Sequence, residues 1–197
     1  MGDLQNYNPI YQRSISNTYL GNLGSAAISN IYIDRDNSNS FLFFRPYATY
    51  LKQPQNIAYY NTTTPYTVLF YETGGSKGRD ENTLKVFHSQ NIKPYWNVSV
   101  QYNLISSYGS YQNQKTKVYD FTFSSCYKKR RLGIDFMANS NRLTLKENGG
   151  LKIDSLLYDK SEKSENLQTS LAAANSKLGN FNFFINAKYG MGKEREV

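Results

Sequence analysis

The sequence contains few side chains whose type and spacing are suited to catalysis. His88 is the only histidine, and it stands next to Ser89 within the segment VFHSQ. A hydrolase serine usually sits in a Gly-x-Ser-x-Gly turn, and that pattern is absent around Ser89. A single histidine on an alternating strand is more often a structural or lumen-facing side chain than a general base. We therefore predict that this chain is not an enzyme.

Two segments begin like ligand-binding loops but do not complete the motif. Residues 74–78 (GGSKG) lack the spacing of a phosphate-binding loop and a following helix, so a flexible hairpin loop is the better interpretation. Residues 34–38 begin like a calcium loop, but Asn39 replaces the turn glycine and Arg45 stands where a bidentate glutamate is needed. The single cysteine, Cys126, allows neither an internal disulfide nor a cysteine-based zinc cluster. We predict no metal and no cofactor.

The residues most suited to a function are neutral polar side chains that alternate with apolar ones. In the run from Trp96 to Leu104, every second residue is aromatic or aliphatic, and the residues between them are amides or a hydroxyl. Such a polar row can hydrate small polar solutes without strong ion selection. We predict that the following residues line a pore: Asn97, Ser99, Gln101, Asn103, Asp120, Thr122, Asp135, Asn182, Asn186 and Lys188.

The composition favours short two-faced strands. The chain of 197 residues has a mean hydropathy of −0.64, yet it contains 18 Tyr and 11 Phe. Disordered chains are poor in aromatic residues, whereas strands with one polar and one aromatic face combine both properties. The net charge is +8, but the basic residues are scattered through turns and loops and form no stripe. We therefore predict no nucleic-acid partner.

Period-two alternation predicts about seven strands, each roughly 8–11 residues long, which is near the length of a tilted membrane-spanning strand. The alternating runs that predict them are Tyr66–Thr73, Leu84–Ile92, Trp96–Leu104, Tyr119–Ser124, Leu132–Phe136, Leu167–Ala174 and Phe181–Tyr189. The last two are predicted to be joined by a short turn over residues 175–180 (NSKLGN).

The connections between these strands alternate between long and short. A polar loop at residues 74–82 is followed by a tight turn near Pro94, and a long loop at residues 106–117 is followed by the short basic turn KKRR. Outer-membrane barrels sort their connections in this way, with short periplasmic turns and long outer loops. The pattern favours an all-β, antiparallel, up-and-down transmembrane barrel over a soluble β-sandwich.

Several blocks of the sequence resemble one family in the same order. YLGNLGSAAISNIYIDR, FLFFRPYATYL and YNTTTPYTVLFYETGGSKGRDENTLKVFHSQNI are similar to successive blocks of the β-barrel porins of Bacteroidota outer membranes. The resemblance implies an outer-membrane protein with an export signal and further closing strands. We therefore expect this chain to be an N-terminal portion of a longer member, with its signal peptide lost by truncation.

These observations predict two regions and one leading function. Residues 1–60 are expected to form a segment that packs in or under the barrel, and residues 61–197 to form the first strands of an incomplete barrel. The leading hypothesis is a porin-like channel for passive diffusion of small hydrophilic solutes. Expected partners are outer-membrane lipid, these solutes and, in an oligomer, further copies of the chain. The alternatives are a structural or adhesin-type barrel with a closed interior, and a soluble β-sandwich that binds carbohydrate.

Overall fold

The computed structural model describes residues 9–12, 14–35, 41–76, 79–153, 155, 158 and 163–191. In this part of the chain the secondary structure is almost entirely β. The strands are β1 (Asn17–Tyr19), β2 (Ala27–Ser29), β3 (Tyr66–Gly74), β4 (Glu81–Lys93), β5 (Trp96–Tyr108), β6 (Lys115–Lys129), β7 (Leu132–Lys146) and β8 (Asn175–Tyr189). Short 3-10 helices lie at Pro9–Gln12, Tyr32–Asp34, Leu42–Tyr47 and Pro54–Asn56.

Strands β3 to β8 form one antiparallel sheet in which each strand pairs with its neighbours in sequence. The all-β, antiparallel, up-and-down prediction is confirmed. Strands β1 and β2 form a separate two-stranded sheet. Within the described ranges, no helix has the length and apolar character needed to cross a bilayer.

The connections of the six-stranded sheet sort by length, as the sequence predicts. Two-residue turns, Pro94–Tyr95 and Arg130–Arg131, join β4 to β5 and β6 to β7, and we call this edge the short-turn end. The connections that follow β3, β5 and β7 span residues 75–80, 109–114 and 147–174, and they leave the sheet at the opposite edge, which we call the long-loop end. These three share one edge because every second connection of an up-and-down antiparallel sheet emerges at the same end.

One predicted strand and one predicted turn are wrong. Residues 167–174 form no strand, and Leu151 and Thr169 make only an isolated bridge there. Residues 175–180, expected to be a turn, are the first residues of β8 and pair with residues 141–146 of β7. The sheet therefore has six strands where seven were counted. Turn-type residues such as Asn175 and Gly179 are tolerated in β8 because the continuous ladder with β7 supplies their backbone partners.

The two faces of the six-stranded sheet differ in character. On one face the register places side chains that contact the N-terminal part of the chain, and we call it the covered face; it includes Ser89, Asn97, Asp120, Asn139 and Asn182. The opposite face, which we call the bare face, includes Val98, Phe121, Ile134 and Phe183. Large apolar side chains remain exposed on the bare face, including Leu69 (71%), Phe181 (68%) and Phe183 (61%).

The described residues between 9 and 62, which we call the N-terminal segment, pack on the covered face. Near the long-loop end they form an apolar core with the sheet, made of Ile10, Leu23, Tyr50, Ile105, Val118, Leu143 and Leu145. Burying each such side chain stabilises the packing by about 1.5–3 kcal/mol. At Gly24 the segment approaches the sheet closely. The φ of Gly24 is +86°, and a Cβ there would lie 3.0 Å from Thr116 Oγ1, so glycine is required for this contact.

Candidate functional site: the polar network of the covered face

The structure places all ten predicted lining residues on the covered face. The register aligns them in rows across the strands, and these rows are Asn97–Cys126–Asp135–Asn186, Gln101–Thr122–Asn139–Asn182 and Asn103–Asp120–Asn141–Asn180. Ser99 faces Ser124, and the two hydroxyl oxygens lie 2.6 Å apart. Lys188 pairs with Gly133 at the short-turn end. The structure brings these residues together, and their pore-lining role remains a prediction.

Asp120 is the centre of the network. Its side chain is 3% exposed and accepts hydrogen bonds from three neighbours. Asn139 Nδ2 donates to Oδ1 at 2.7 Å, and Thr122 Oγ1 donates to the same oxygen at 3.1 Å. Asn103 Nδ2 donates to Oδ2 at 2.6 Å. A buried carboxylate is tolerated when donors of this kind replace its water shell.

Two asparagines of β7 connect Asp120 to the rest of the covered face, and sequence reasoning did not identify them. Asn139 is fully buried and receives a hydrogen bond of 3.2 Å from Asn182 Nδ2. Asn141 Nδ2 donates to Asn139 Oδ1 at 2.8 Å and to Asn180 Oδ1 at 2.9 Å. The predicted strand was centred on residues 132–136, which left both residues outside the candidate list.

Lys52 of the N-terminal segment lies directly over this network. Its backbone N–H donates to Asn141 Oδ1 at 3.2 Å, and Asn141 Nδ2 donates to its carbonyl oxygen at 2.9 Å, so one amide side chain binds both backbone groups. The Lys52 ammonium donates to Gln101 Oε1. Desolvation by burial lowers the pKa of Lys52, and the negative charge of Asp120 opposes that shift. Lys52 therefore joins the segment to the covered face through Asn141 and Gln101, and its charge interacts with that of Asp120.

A second set of contacts ties the segment to the sheet near the short-turn end. Asn97 Nδ2 donates to Asn91 Oδ1 at 2.6 Å, and the backbone N–H of Thr62 donates to the same oxygen at 3.2 Å. Asn91 Nδ2 in turn donates to Asn61 Oδ1 at 2.6 Å. Ser89, which is fully buried, completes the cluster through a 3.3 Å hydrogen bond to Asn97 Oδ1.

A third set of contacts lies near the long-loop end. Glu81 Oε1 accepts from the backbone N–H of Leu23 at 3.1 Å and from Ser107 Oγ at 3.0 Å. Asn22 Nδ2 donates to Thr116 Oγ1 at 3.1 Å. The N-terminal segment is thus held at three levels along the strands, over nearly the whole height of the covered face.

The histidine and serine that were considered for catalysis do not form a site. His88 and Ser89 are consecutive residues of β4 and point to opposite faces, so they do not form a catalytic pair. His88 Nδ1 lies 2.7 Å from Thr67 Oγ1 on the bare face. The motifs at residues 74–78 and 34–38 extend into 77–78 and 36–38, which lie outside the described residues. Among the residues that are described, no group of three His, Cys, Asp or Glu side chains is arranged to hold a metal.

The bare face carries an apolar band with aromatic side chains at its short-turn edge. Trp96, Tyr127 and Tyr189 occupy this edge, and Trp96 Nε1 donates to Ser125 Oγ at 2.9 Å. The ring of Tyr95 packs against that of Tyr127 with a centroid distance of 5.4 Å. An apolar outer face, an amide-rich inner face and sorted loops are together typical of the wall of barrel-type pore proteins.

The chain belongs to the family described as Putative porin, whose model matches residues 1–197 and hence the whole chain. No curated protein matches the sequence, and no solved structure matches it. Membership of a porin family indicates an outer-membrane location and a transporter-like protein rather than an enzyme.

Proposed function

We propose that this chain forms part of the wall of an outer-membrane β-barrel that passes small hydrophilic solutes by passive diffusion. In this proposal the bare face meets lipid, the covered face meets the water-filled lumen, and the N-terminal segment lies inside the barrel and narrows it. The observation that carries the proposal is the separation of side chains across one sheet, with exposed aromatic and aliphatic rows on one side and an amide and hydroxyl network on the other.

The bare face argues for lipid as its solvent. Phe181, Phe183 and Ile185 lie in consecutive bare-face positions of β8 and are each at least 60% exposed. In water, each exposed side chain of this size forgoes about 1.5–3 kcal/mol of burial energy. The alternative of a soluble β-sandwich requires a second sheet on this face, and no described residues form one. Contact with acyl chains removes the cost without a second sheet.

The covered face supports weakly selective passage. Most of its polar side chains are amides and hydroxyls, which replace water around a solute without a strong preference for either ion sign. Lys188 is exposed on this face at the short-turn end, where it provides one positive charge at the edge of the lumen. Passive diffusion along such a wall needs no cofactor and no covalent step.

A second candidate is a barrel with a closed interior and a structural or adhesive role. It is favoured by the burial of Asp120, Asn139 and Ser89 beneath the N-terminal segment and by their hydrogen bonds within the protein. A side chain whose hydrogen bonds are satisfied in this way is not available to a solute unless the segment moves. Conductance separates the two candidates, since a closed interior passes no ions.

Ion conduction by the full-length gene product in planar lipid bilayers tests the proposal. We expect discrete conductance steps with weak ion selectivity.

Replacing Lys188→Glu should shift the selectivity toward cations, because the new charge faces the lumen. Lys129→Glu is the matched control, since Lys129 lies at the same end of the sheet on the bare face. Complete absence of steps would leave only the closed barrel. A selectivity change with Lys129→Glu but not with Lys188→Glu would mean that the two faces are assigned the wrong way round.

A further inference from the structure

Five basic residues cluster on the bare face at the long-loop end of β6, β7 and β8. They are Lys115, Lys117, Arg142, Lys146 and Lys177. Lys115 pairs with Lys146 across β6 and β7, and Thr144 lies between Lys117 and Lys177 in the next row. With strands about 4.8 Å apart, these charges occupy a patch roughly 10 Å wide. We call it the basic patch.

The acidic side chains of the six strands all lie on the face opposite the basic patch. The acidic residues of the six strands are Glu72, Glu81, Asp120 and Asp135, and the register places all of them on the covered face. Among the described residues, no carboxylate forms an ion pair with a member of the basic patch; the ion pairs there join Arg79 and Lys163 to Glu165. Within the described part of the chain, the charges of the basic patch are therefore not neutralised by a carboxylate, and Lys115 donates a hydrogen bond to the hydroxyl of Tyr108.

The basic patch lies directly beyond the apolar band. Arg142 shares its row with Leu104 and Tyr119, and the next row toward the short-turn end contains Tyr102, Phe121 and Phe181. The residue beside Arg142 on β8 is Gly179, which has no side chain and leaves space next to the guanidinium. If the bare face meets lipid, this level is the boundary between acyl chains and headgroups on the side of the long loops.

We propose that the basic patch binds the phosphate groups of a phosphorylated glycolipid in the outer leaflet, with its acyl chains on the apolar band below. This inference rests on the proposed function, because it requires lipid on the bare face. Arg142 offers the planar donor geometry that phosphate accepts in a bidentate manner, and the lysines add charge around it. The adjoining apolar rows favour a lipid over free phosphate, since free phosphate has no apolar part to contact them.

Binding of lipid A to the detergent-solubilised full-length protein tests this site. The probes are lipid A with its two phosphates, the same glycolipid without phosphates, and inorganic phosphate as competitor. The test variant is Lys117→Gln/Arg142→Gln/Lys177→Gln. The matched control, Lys129→Gln/Arg130→Gln/Arg131→Gln, removes the same charge from the short-turn end. At about fivefold in affinity for each cation, the test variant should bind phosphorylated lipid A roughly a hundredfold more weakly, and the control variant should resemble the wild type.

Three outcomes would overturn the lipid site. They are equal affinity of the wild type for the two glycolipids, an equal loss of affinity in both triple variants, and full competition by inorganic phosphate at matched phosphate concentration. The same wild-type preparation is tested in planar bilayers. If it conducts while showing no preference for phosphorylated lipid, the lipid site is wrong and the channel proposal stands. If it binds phosphorylated lipid without conducting, the channel proposal is wrong.

Discussion

Replacing Asp120→Ala is expected to lower the free energy of unfolding by about 3–5 kcal/mol, the range for breaking a buried charged network. The substitution removes the acceptor of three hydrogen bonds, from Asn103, Thr122 and Asn139, and leaves these donors buried. It also removes the negative charge that favours the charged form of the partly buried Lys52. Denaturant unfolding of the full-length protein in detergent, followed by tryptophan fluorescence, measures the change.

Asp135→Ala is the matched control for this prediction. Asp135 is also an aspartate on the covered face, one strand away, but it is only partly buried and accepts a long hydrogen bond of 3.5 Å from Asn186. We expect its replacement to cost less than about 1 kcal/mol. Asp120→Asn keeps the shape and distinguishes loss of charge from loss of volume. Equal effects of Asp120→Ala and Asp135→Ala would show that the Asp120 network does not stabilise the wall as described.

Replacing Lys52→Glu is expected to detach the middle of the N-terminal segment and to raise the single-channel conductance severalfold. The variant places a carboxylate within the electrostatic reach of the buried Asp120, where two like charges repel, and it loses the hydrogen bond to Gln101. The segment then no longer covers the rows that contain Thr122 and Asn139. Planar-bilayer recording measures the conductance, and limited proteolysis within residues 41–62 measures the release of the segment.

Gln55→Glu is the control, because it introduces the same carboxylate into the same segment at an exposed position. It should leave conductance and proteolysis unchanged. Lys52→Met retains the length of the side chain without its charge and should give a smaller increase than Lys52→Glu. Faster proteolysis of the Lys52→Glu variant without any gain in conductance would mean that the segment does not obstruct the path of ions.

The strands that the sequence predicted well are those in which one face is apolar and the other is polar. Strand β5 is clear because Val98 and Val100 alternate with Asn97 and Ser99. The end of β7 lacks this contrast, since Ser140 and Thr144 on the bare face are as polar as Asn139 and Asn141 on the covered face. A period-two pattern can be recognised only where consecutive residues differ in polarity. For this reason the sequence analysis missed Asn139 and Asn141, which connect Asp120 to Lys52.

The covered face also changes along the strands, from polar in the middle to apolar near the long-loop end. Near the long-loop end, Ile105, Val118, Leu143 and Leu145 point to this face and pack against the N-terminal segment, whereas the residues between them include the lysines of the basic patch. No local pattern reveals that a segment about 90 residues away in sequence supplies the apolar partners. The contacts of the N-terminal segment with the sheet are long-range, such as those between Lys52 and Asn141, so no local sequence pattern predicts which strands it contacts.

Measuring which face of β7 contacts lipid and which contacts water tests most directly whether this sheet is part of a membrane-spanning wall. Nitroxide spin labels are placed one at a time at positions 134–139 of the full-length protein in liposomes, with Cys126→Ser as the background. Accessibility is compared for oxygen, which concentrates in lipid, and for a water-soluble nickel complex. We expect oxygen accessibility to peak at positions 134, 136 and 138 and to fall at positions 135, 137 and 139. Equal accessibility at all six positions, or oxygen peaks at the odd positions, would contradict a wall with lipid on the bare face.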